Sequence, residues 1–215
     1  MRARPVSTDL LVSEIADLLM ARLAESREPD SRLRVAIDGP AAAGPARLAD
    51  ALVGPLRALG HEAVRVDTAD FLRPASLRLE FGRDNPDSFY AGWFDEAGLA
   101  REVLEPAGPG GSGHVLTRLW NAATDRAARE PYRELPPGAV VLVSGPLLLG
   151  GGLAFDVTVH LEVSPAALER RTPPAERWTL PAFARYAEEV VPASFADVVV
   201  RADDPSRPAV VVERS

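Results

Sequence analysis

Apolar residues along the chain follow two patterns, one with the spacing of an amphipathic helix and one of short continuous runs. Residues 8–27 show the first pattern, with leucine and isoleucine at helical spacing and Ser7 or Thr8 before them as capping residues. Residues 33–37 show the second pattern, because they are apolar and partly β-branched. The first segment therefore predicts a helix, and the second predicts a buried strand.

The two patterns continue in alternation to the end of the chain. Predicted helices cover residues 8–27, 46–59, 96–104, 165–171 and 181–190. Predicted strands cover residues 33–37, 63–66, 115–120, 139–143, 157–163, 198–200 and 209–212. Residues 67–95 are polar and interrupted by prolines, which predicts irregular structure. Strands that alternate with helices predict a three-layer α/β fold with a mostly parallel central sheet flanked by helices.

Composition and charge narrow the class of protein. A chain of 215 residues with 47% hydrophobic content can bury the core of one domain. It has no cysteine, which excludes disulfides and cysteine metal sites, and its net charge of −7 provides no positive field for nucleic acid or anionic membranes. No apolar run approaches the roughly 20 residues that span a bilayer. We expect a cytoplasmic protein without nucleic-acid or membrane partners, and a homodimer remains open.

One segment has the frame of a phosphate-binding loop without its reactive residues. Such a loop reads G-x-x-x-x-G-K-[ST] between a buried strand and a helix. Gly39 and Gly44 keep this spacing, but Pro45 replaces the lysine and Ala46 replaces the hydroxyl residue that binds magnesium. All 24 basic residues are arginine, so no lysine elsewhere can substitute. The segment predicts a degenerate Walker A loop, although a helix N-terminus would still attract an anion.

A series of further motifs follows in a fixed order along the chain. The motifs are Ile37–Gly39, Asp70–Pro74, Gly82–Tyr90, Phe94–Asp95, Thr124–Asp125, Glu130–Arg133 and Pro137–Gly145. In this order they resemble the uridine kinase-like P-loop proteins. The resemblance implies a single P-loop kinase-like domain over residues 1–215, with an N-terminal helix in 1–30, a family-like core in 33–204 and a remnant lid in 168–180. It also implies a nucleoside or sugar acceptor pocket beside the loop.

The chain departs from this family where the family's chemistry is carried out. The resemblance implies a base aspartate where this chain has Ala69, and an acidic residue at a strand end where it has Ser144. It implies a Phe-Asp pair where this chain has Trp120-Asn121. Phosphoryl transfer depends on cation, metal and base together. With the loop also changed, we expect no ATP phosphotransfer, no bound metal and no cofactor.

Polar and aromatic residues remain in the segments that line the acceptor pocket of the family. The candidate catalytic residues are Asp70, Arg73, His114 and Arg118. The candidate substrate-binding residues are Phe71, Tyr90, Trp93, Asp95, Trp120, Asn121 and Arg126. A carboxyl group can act as acid or base, arginines can hold a carboxylate or phosphate, and aromatic rings can stack on a flat ligand.

The three histidines have no metal-site spacing. We expect His114 at the surface after its glycine-rich loop, and His61 at a helix end. His160 lies in an apolar strand, which favours a core histidine with satisfied hydrogen bonds. Ser144 lacks the sequence pattern of a nucleophile elbow.

Three functions remain open from the sequence. The first is a repurposed protein that binds or converts a nucleoside-, sugar- or carboxylate-like molecule in the acceptor pocket, by ATP-independent chemistry such as cyclisation, isomerisation or elimination. The second is a pseudokinase that acts by binding alone, as a sensor or partner subunit. The third is an active nucleoside or sugar kinase with an unorthodox loop. The aromatic and arginine residues of the acceptor segments favour the first two.

Overall fold

The computed structural model describes residues 2–26 and 30–212 and has a mixed α/β fold. Its strands are β1 (Arg2–Pro5), β2 (Leu33–Asp38), β3 (Ala63–Asp67), β4 (His114–Val115), β5 (Trp120–Asn121), β6 (Arg126–Ala127), β7 (Arg133–Glu134), β8 (Val140–Gly145), β9 (Val157–Glu162), β10 (Val198–Arg201) and β11 (Ala209–Val212). Seven of these strands form one sheet in the order β1-β11-β10-β9-β2-β8-β3. The five from β10 to β3 are parallel, and β11 is antiparallel to both of its neighbours. The predicted mostly parallel sheet is confirmed.

Helices cover both faces of this sheet. They are α1 (Thr8–Glu25), α2 (Pro45–Ala58), α3 (Ala75–Arg78), α4 (Pro86–Gly92), α5 (Glu96–Leu99), α6 (Glu105–Ala107), α7 (Pro165–Arg171) and α8 (Leu180–Glu189). A π-helical turn over Ala100–Leu104 joins α5 to α6. None of the helices within the described ranges combines the length and apolar character that crossing a bilayer requires.

Local sequence explains where the two longest helices begin. The Ser7 hydroxyl accepts a hydrogen bond from the Leu10 N–H at 3.2 Å, which caps α1 as predicted. Pro45 occupies the first turn of α2, where its fixed φ suits a helix and its missing N–H costs no helical bond. The predicted end of the first helix at residue 27 lies outside the described residues.

The core consists of two clusters, one on each face of the sheet. Leu19 of α1 and Leu52 of α2 pack against Val35 on one face. Val103 and Val141 belong to the cluster on the other face, which also receives α8. Successive residues of β2 therefore point alternately into the two clusters, as the period of two in a strand requires.

One predicted strand is wrong, and other elements were not predicted. Residues 115–120 do not form a continuous strand, because the Leu116 N–H donates to the Glu102 carbonyl and the Leu119 N–H donates to the Asp70 carbonyl. The ends of this segment instead join two short ribbons, β4 with β7 and β5 with β6. The edge strand β1 and the short helices within the polar segment 67–95 carried no clear periodic signal.

The order of the strands creates a crevice at the end of β2. Strands β8 and β9 are consecutive in the chain but lie on opposite sides of β2. In parallel sheets, ligands bind outside the carboxyl ends of the strands where the order reverses in this way. The register places Asp38 opposite Gly145 on one side and opposite His160 on the other.

We expect Leu52→Ala to lower the free energy of unfolding by about 2–5 kcal/mol, because Leu52 is fully buried between α1 and the sheet. The control is Leu59→Ala, at a side chain that is 54% exposed just after α2, with an expected change within about 0.5 kcal/mol. Urea denaturation of both variants measures the difference. Equal losses would contradict this packing of α2.

Candidate functional site

The segment between β2 and α2 connects strand to helix as a P-loop does, but two of its backbone N–H groups form hydrogen bonds within the segment itself. Residues Ala41–Ala43 form a 3-10 turn. The Ala43 N–H donates to the Pro40 carbonyl at 2.8 Å, and the Gly44 N–H donates to the Ala41 carbonyl at 3.0 Å. Gly44 has a φ of 81°, a left-handed conformation that glycine adopts without a steric penalty.

Few backbone donors of this segment remain for an anion. The Gly39 N–H donates to the Gly145 carbonyl at 3.1 Å, and the two prolines of the segment have no N–H. Within residues 39–45, this leaves the N–H groups of Ala41 and Ala42 without a hydrogen bond to the described residues. The first turn of α2 adds the N–H groups of two further residues. This is a partial anion cradle, with no side-chain cation from the motif itself.

Two arginines outside the motif lie against the loop. The Arg171 guanidinium donates to the carbonyl of Ala42 and, at 2.8 Å, to the carbonyl of Ala202. The Arg47 guanidinium lies beside Gly44. Burial, followed by the positive charge of Arg47, lowers the pKa of Arg171. Arg171 therefore joins the end of α7 to the loop through carbonyl groups. Its segment belongs to the predicted remnant lid.

The positions where the family carries acidic residues offer little to a metal ion. Ser144 is fully buried, and its Oγ has no hydrogen-bond partner in the described part of the chain. The Asp67 carboxylate accepts hydrogen bonds from the Ala69 N–H at 2.9 Å and from Arg65 at 2.7 Å. Across residues 2–26 and 30–212, no three His, Asp or Glu side chains come together in a way that could hold a metal.

The structure brings two of the four candidate catalytic residues into contact. The Arg118 Nε donates to Asp70 Oδ1 at 2.6 Å, and the Arg118 Nη1 lies 3.6 Å from Glu130. The Asp70 and Arg118 side chains are 27% and 45% exposed, so solvent reaches the pair. Arg73 is half-buried, and its Nη1 lies 3.5 Å from the Gly92 carbonyl. Asp70 and Arg118 thus form an accessible ion pair on the acceptor side.

His114 lies apart from this pair. It is exposed at the start of β4, as predicted, and lines an open depression together with Tyr132 and Glu102. None of its hydrogen bonds within the described residues reaches Asp70 or Arg118. The structure therefore does not support one catalytic group that includes all four candidates.

The polar candidates for substrate binding mainly stabilise local structure. Trp120 Nε1–H donates to Asp125 at 3.1 Å, and Asn121 Oδ1 accepts the Ala123 N–H at 3.1 Å within the β5–β6 hairpin. Asp95 Oδ1 accepts the Gly98 N–H at 2.9 Å and caps α5. Arg126 is exposed on β6.

The aromatic candidates divide between core and surface. Phe71 is 1% exposed and packs in the core, and its role in substrate binding stays a prediction. Trp93 packs against Trp178 at 5.2 Å between ring centroids and has the Arg78 guanidinium 5.0 Å above it. Tyr90 lies under the Arg185 guanidinium at 4.2 Å. Partial burial, followed by a hydrogen bond to Glu189, raises the pKa of Tyr90.

A buried polar network at the end of β2 was missed from the sequence. Asp38 is 0% exposed, and its Oδ2 lies 2.7 Å from His160 Nδ1 and 3.2 Å from the Tyr186 hydroxyl. Its Oδ1 accepts the Leu148 N–H at 2.9 Å. His160 is a core histidine with a satisfied Nδ1, as the sequence indicated. The sequence shows an aspartate at the end of one predicted buried strand and a histidine in another. It does not show that the two residues are neighbours, because that depends on the register between β2 and β9.

A strained turn after β8 supplies the backbone donors of this network. Leu147 has a φ of 61°, a left-handed conformation that costs a bulky residue on the order of 1–3 kcal/mol. The turn directs the Leu148 N–H at Asp38, and the next N–H, of Leu149, at the Tyr186 oxygen at 2.9 Å. The strained residue therefore directly precedes a backbone N–H that donates to the buried carboxylate.

Comparison with known proteins gives the fold. No protein-family model matches the chain, and no curated protein does. One similar solved structure is a possible uridine kinase from Bacillus stearothermophilus, with a TM-score of 0.67 and 21% identity over 88% of this chain and 98% of that chain. Another is a proposed fructose transport system kinase from Silicibacter sp. TM1040, with a TM-score of 0.55 and 25% identity over 91% and 95% of the chains. The YGR205w protein has a TM-score of 0.58 and 10% identity over 97% and 100%. The chain shares the fold of P-loop kinase-like proteins.

We expect Arg171→Ala to lower the free energy of unfolding by about 1–3 kcal/mol, because the Ala42 carbonyl of the loop and the Ala202 carbonyl after β10 lose a charged donor. The control is Arg170→Ala, whose guanidinium has one hydrogen bond within the described ranges, to the Ala166 carbonyl of its own helix at 3.5 Å. Chemical denaturation measures both, and we expect no change beyond about 0.5 kcal/mol for the control. Equal stability of the two variants would show that Arg171 does not hold the loop.

Proposed function

We propose that this chain uses the P-loop kinase fold to bind a small molecule and does not transfer a phosphoryl group from ATP. The observation that carries the proposal is the small number of backbone N–H groups that the loop leaves free for phosphate. Its 3-10 turn uses the N–H groups of Ala43 and Gly44 internally, and two prolines remove two more donors. A loop of this kind cannot surround a triphosphate with backbone N–H groups as a working P-loop does.

The electrostatics of the site support the same proposal. Phosphoryl transfer needs a cation, a metal and an oriented nucleophile together. Pro45 and Ala46 replace the cation and the metal-binding hydroxyl, and Ser144 stands where a carboxylate is expected. The half-buried Arg171 guanidinium, which lies against the loop, already binds carbonyl groups. Each missing charge-assisted contact to phosphate costs on the order of 1.5–3 kcal/mol, and the losses combine in the transition state.

The acceptor segments keep features suited to a ligand. Asp70 and Arg118 form an accessible pair of opposite charges, and Arg73 lies in the same segment as Asp70. An ion pair can open to hold both a hydroxyl group and an anionic or carbonyl group of a nucleoside-, sugar- or carboxylate-like molecule. Two of the similar structures are named as a possible uridine kinase and a proposed fructose transport system kinase, and these names support nucleoside- or sugar-like acceptors. Non-redox acid–base chemistry at Asp70 is the form of catalysis that this arrangement favours.

We expect the purified protein to release no ADP from ATP with magnesium and uridine, cytidine or fructose. A coupled ADP assay measures this against heat-inactivated protein. Pro45→Lys combined with Ala46→Ser serves as a comparison, and we expect it to stay inactive because Ala69 and Ser144 are unchanged. Turnover by the parent protein above the heat-inactivated control would contradict the proposal.

A ligand in the acceptor segments should depend on Asp70 and Arg73. We expect Asp70→Asn and Arg73→Ala each to weaken the binding of uridine or fructose by about tenfold, or about 1.4 kcal/mol. Calorimetry measures the affinities, and Arg22→Ala, at an exposed side chain on α1 outside the acceptor segments, shows the effect of removing one surface charge. Parent-like binding by both variants, with loss of binding on Gly44→Ala, would place the ligand at the loop instead.

A further inference from the structure

A second site lies beside the buried network on the face of the sheet that α8 covers. A cavity of about 810 Å³, open to solvent on one side, lies between the ends of β9 and β10 and the helices α7 and α8. Most of its wall is apolar and includes Leu168, Leu180 and Phe183. Its volume falls in the range of about 300–1,000 Å³ typical of small-molecule sites.

His160 is the polar group built into the wall of this cavity. Its side chain is 9% exposed, and its Nδ1 lies 2.7 Å from the Asp38 carboxylate. A carboxylate only accepts hydrogen bonds, so Nδ1 carries the proton of this bond. The other ring nitrogen, Nε2, makes no hydrogen bond to residues 2–26 or 30–212. In the neutral ring, Nε2 is therefore an acceptor without a protein partner.

Tyr186 keeps this arrangement fixed without occupying Nε2. Burial, followed by the negative charge of Asp38, raises the pKa of Tyr186, so the phenol remains protonated. Its O–H can donate to Asp38 at 3.2 Å or to the Leu149 carbonyl at 3.3 Å, and its oxygen accepts the Leu149 N–H. The Tyr186 hydroxyl thus donates and accepts hydrogen bonds within the network, and the acceptor that remains for a ligand is His160 Nε2.

The charged residues at the cavity disfavour an anionic ligand. Glu162, Glu169 and Asp203 line it on the acidic side, and Arg201 is its one cation among the described lining residues. Arg201 Nε lies 3.4 Å from Glu162, which neutralises it. Arg171 lies near Asp203 and offsets part of the remaining negative charge, but the carboxylates at the cavity still outnumber the cations, so a neutral molecule enters at lower cost than a phosphate or carboxylate.

We propose that this cavity binds a neutral, mainly apolar small molecule that donates a hydroxyl or N–H proton to His160 Nε2, and that Asp38 is the positioning residue. The carboxylate fixes the tautomer and ring orientation, as in other carboxylate–histidine pairs. The strained φ of 52° at Val191, on the cavity wall, is a second sign that this wall is built to a specific shape. The site does not depend on whether the loop has lost phosphotransfer.

Three matched probes test the ligand chemistry. The probes are 4-ethylphenol, 4-ethylanisole, which lacks the donor proton, and 4-ethylbenzoate, which is anionic. Calorimetry should give the tightest binding for the phenol, about threefold or more weaker binding for the anisole, and about tenfold or more weaker binding for the benzoate. Equal affinity of phenol and anisole, preferred binding of the benzoate, or no binding of the phenol at millimolar concentration would overturn the proposal.

Binding of the phenol to variants tests whether it occupies the cavity or the acceptor segments. Ala187→Trp fills the mouth of the cavity without touching the network, and we expect it to abolish phenol binding, whereas Ala91→Trp on α4 should leave it unchanged. Asp70→Asn should also bind the phenol normally. Asp38→Asn should reduce the preference for phenol over anisole while the affinity for anisole stays constant. Unchanged phenol binding in Ala187→Trp, or an unchanged preference in folded Asp38→Asn, would contradict the assignment.

Discussion

The buried carboxylate of Asp38 is the constraint on which the architecture of the site depends. A fully buried charge without partners would cost several kcal/mol, so the fold must bring donors to it. The donors come from three separate elements: His160 on β9, Leu148 after β8 and Tyr186 on α8. One carboxylate therefore fixes how α8 and the turn after β8 sit at the end of β2.

The loop after β2 and the cavity beside Asp38 are neighbours, but they differ in how their polar groups are used. The loop begins directly after Asp38, yet two of its N–H groups bond within its own turn and the Ala42 carbonyl accepts from Arg171. The face of β2 and β9 that holds Asp38 instead supports a cavity with one free acceptor in its wall. The loop keeps only part of its backbone donors, while a mainly apolar cavity lies beside it. This contrast supports small-molecule binding without phosphotransfer.

The sequence predicted the parallel strands of the sheet well because they are short apolar runs rich in β-branched residues and bounded by turn residues. It failed over residues 115–120, where the backbone bonds to Glu102 and Asp70 rather than to a strand, and no local pattern encodes such partners. It missed the Asp38–His160 pair for a related reason. The two residues are 122 positions apart, and only the register of β2 against β9 brings them together. The burial of Phe71 was not predicted, because an aromatic residue in a polar segment suits a core as well as a ligand surface.

The tautomer of His160 tests the central claim most directly. Nitrogen-15 NMR of the uniformly labelled protein at neutral pH distinguishes protonated from unprotonated ring nitrogens, with the other two of the 3 histidines as internal references and His160→Gln for assignment. The account predicts a proton on Nδ1, held by Asp38, and an unprotonated Nε2. A proton on Nε2, with or without a proton on Nδ1, would contradict it, because Nε2 could then not accept a hydrogen bond from a ligand.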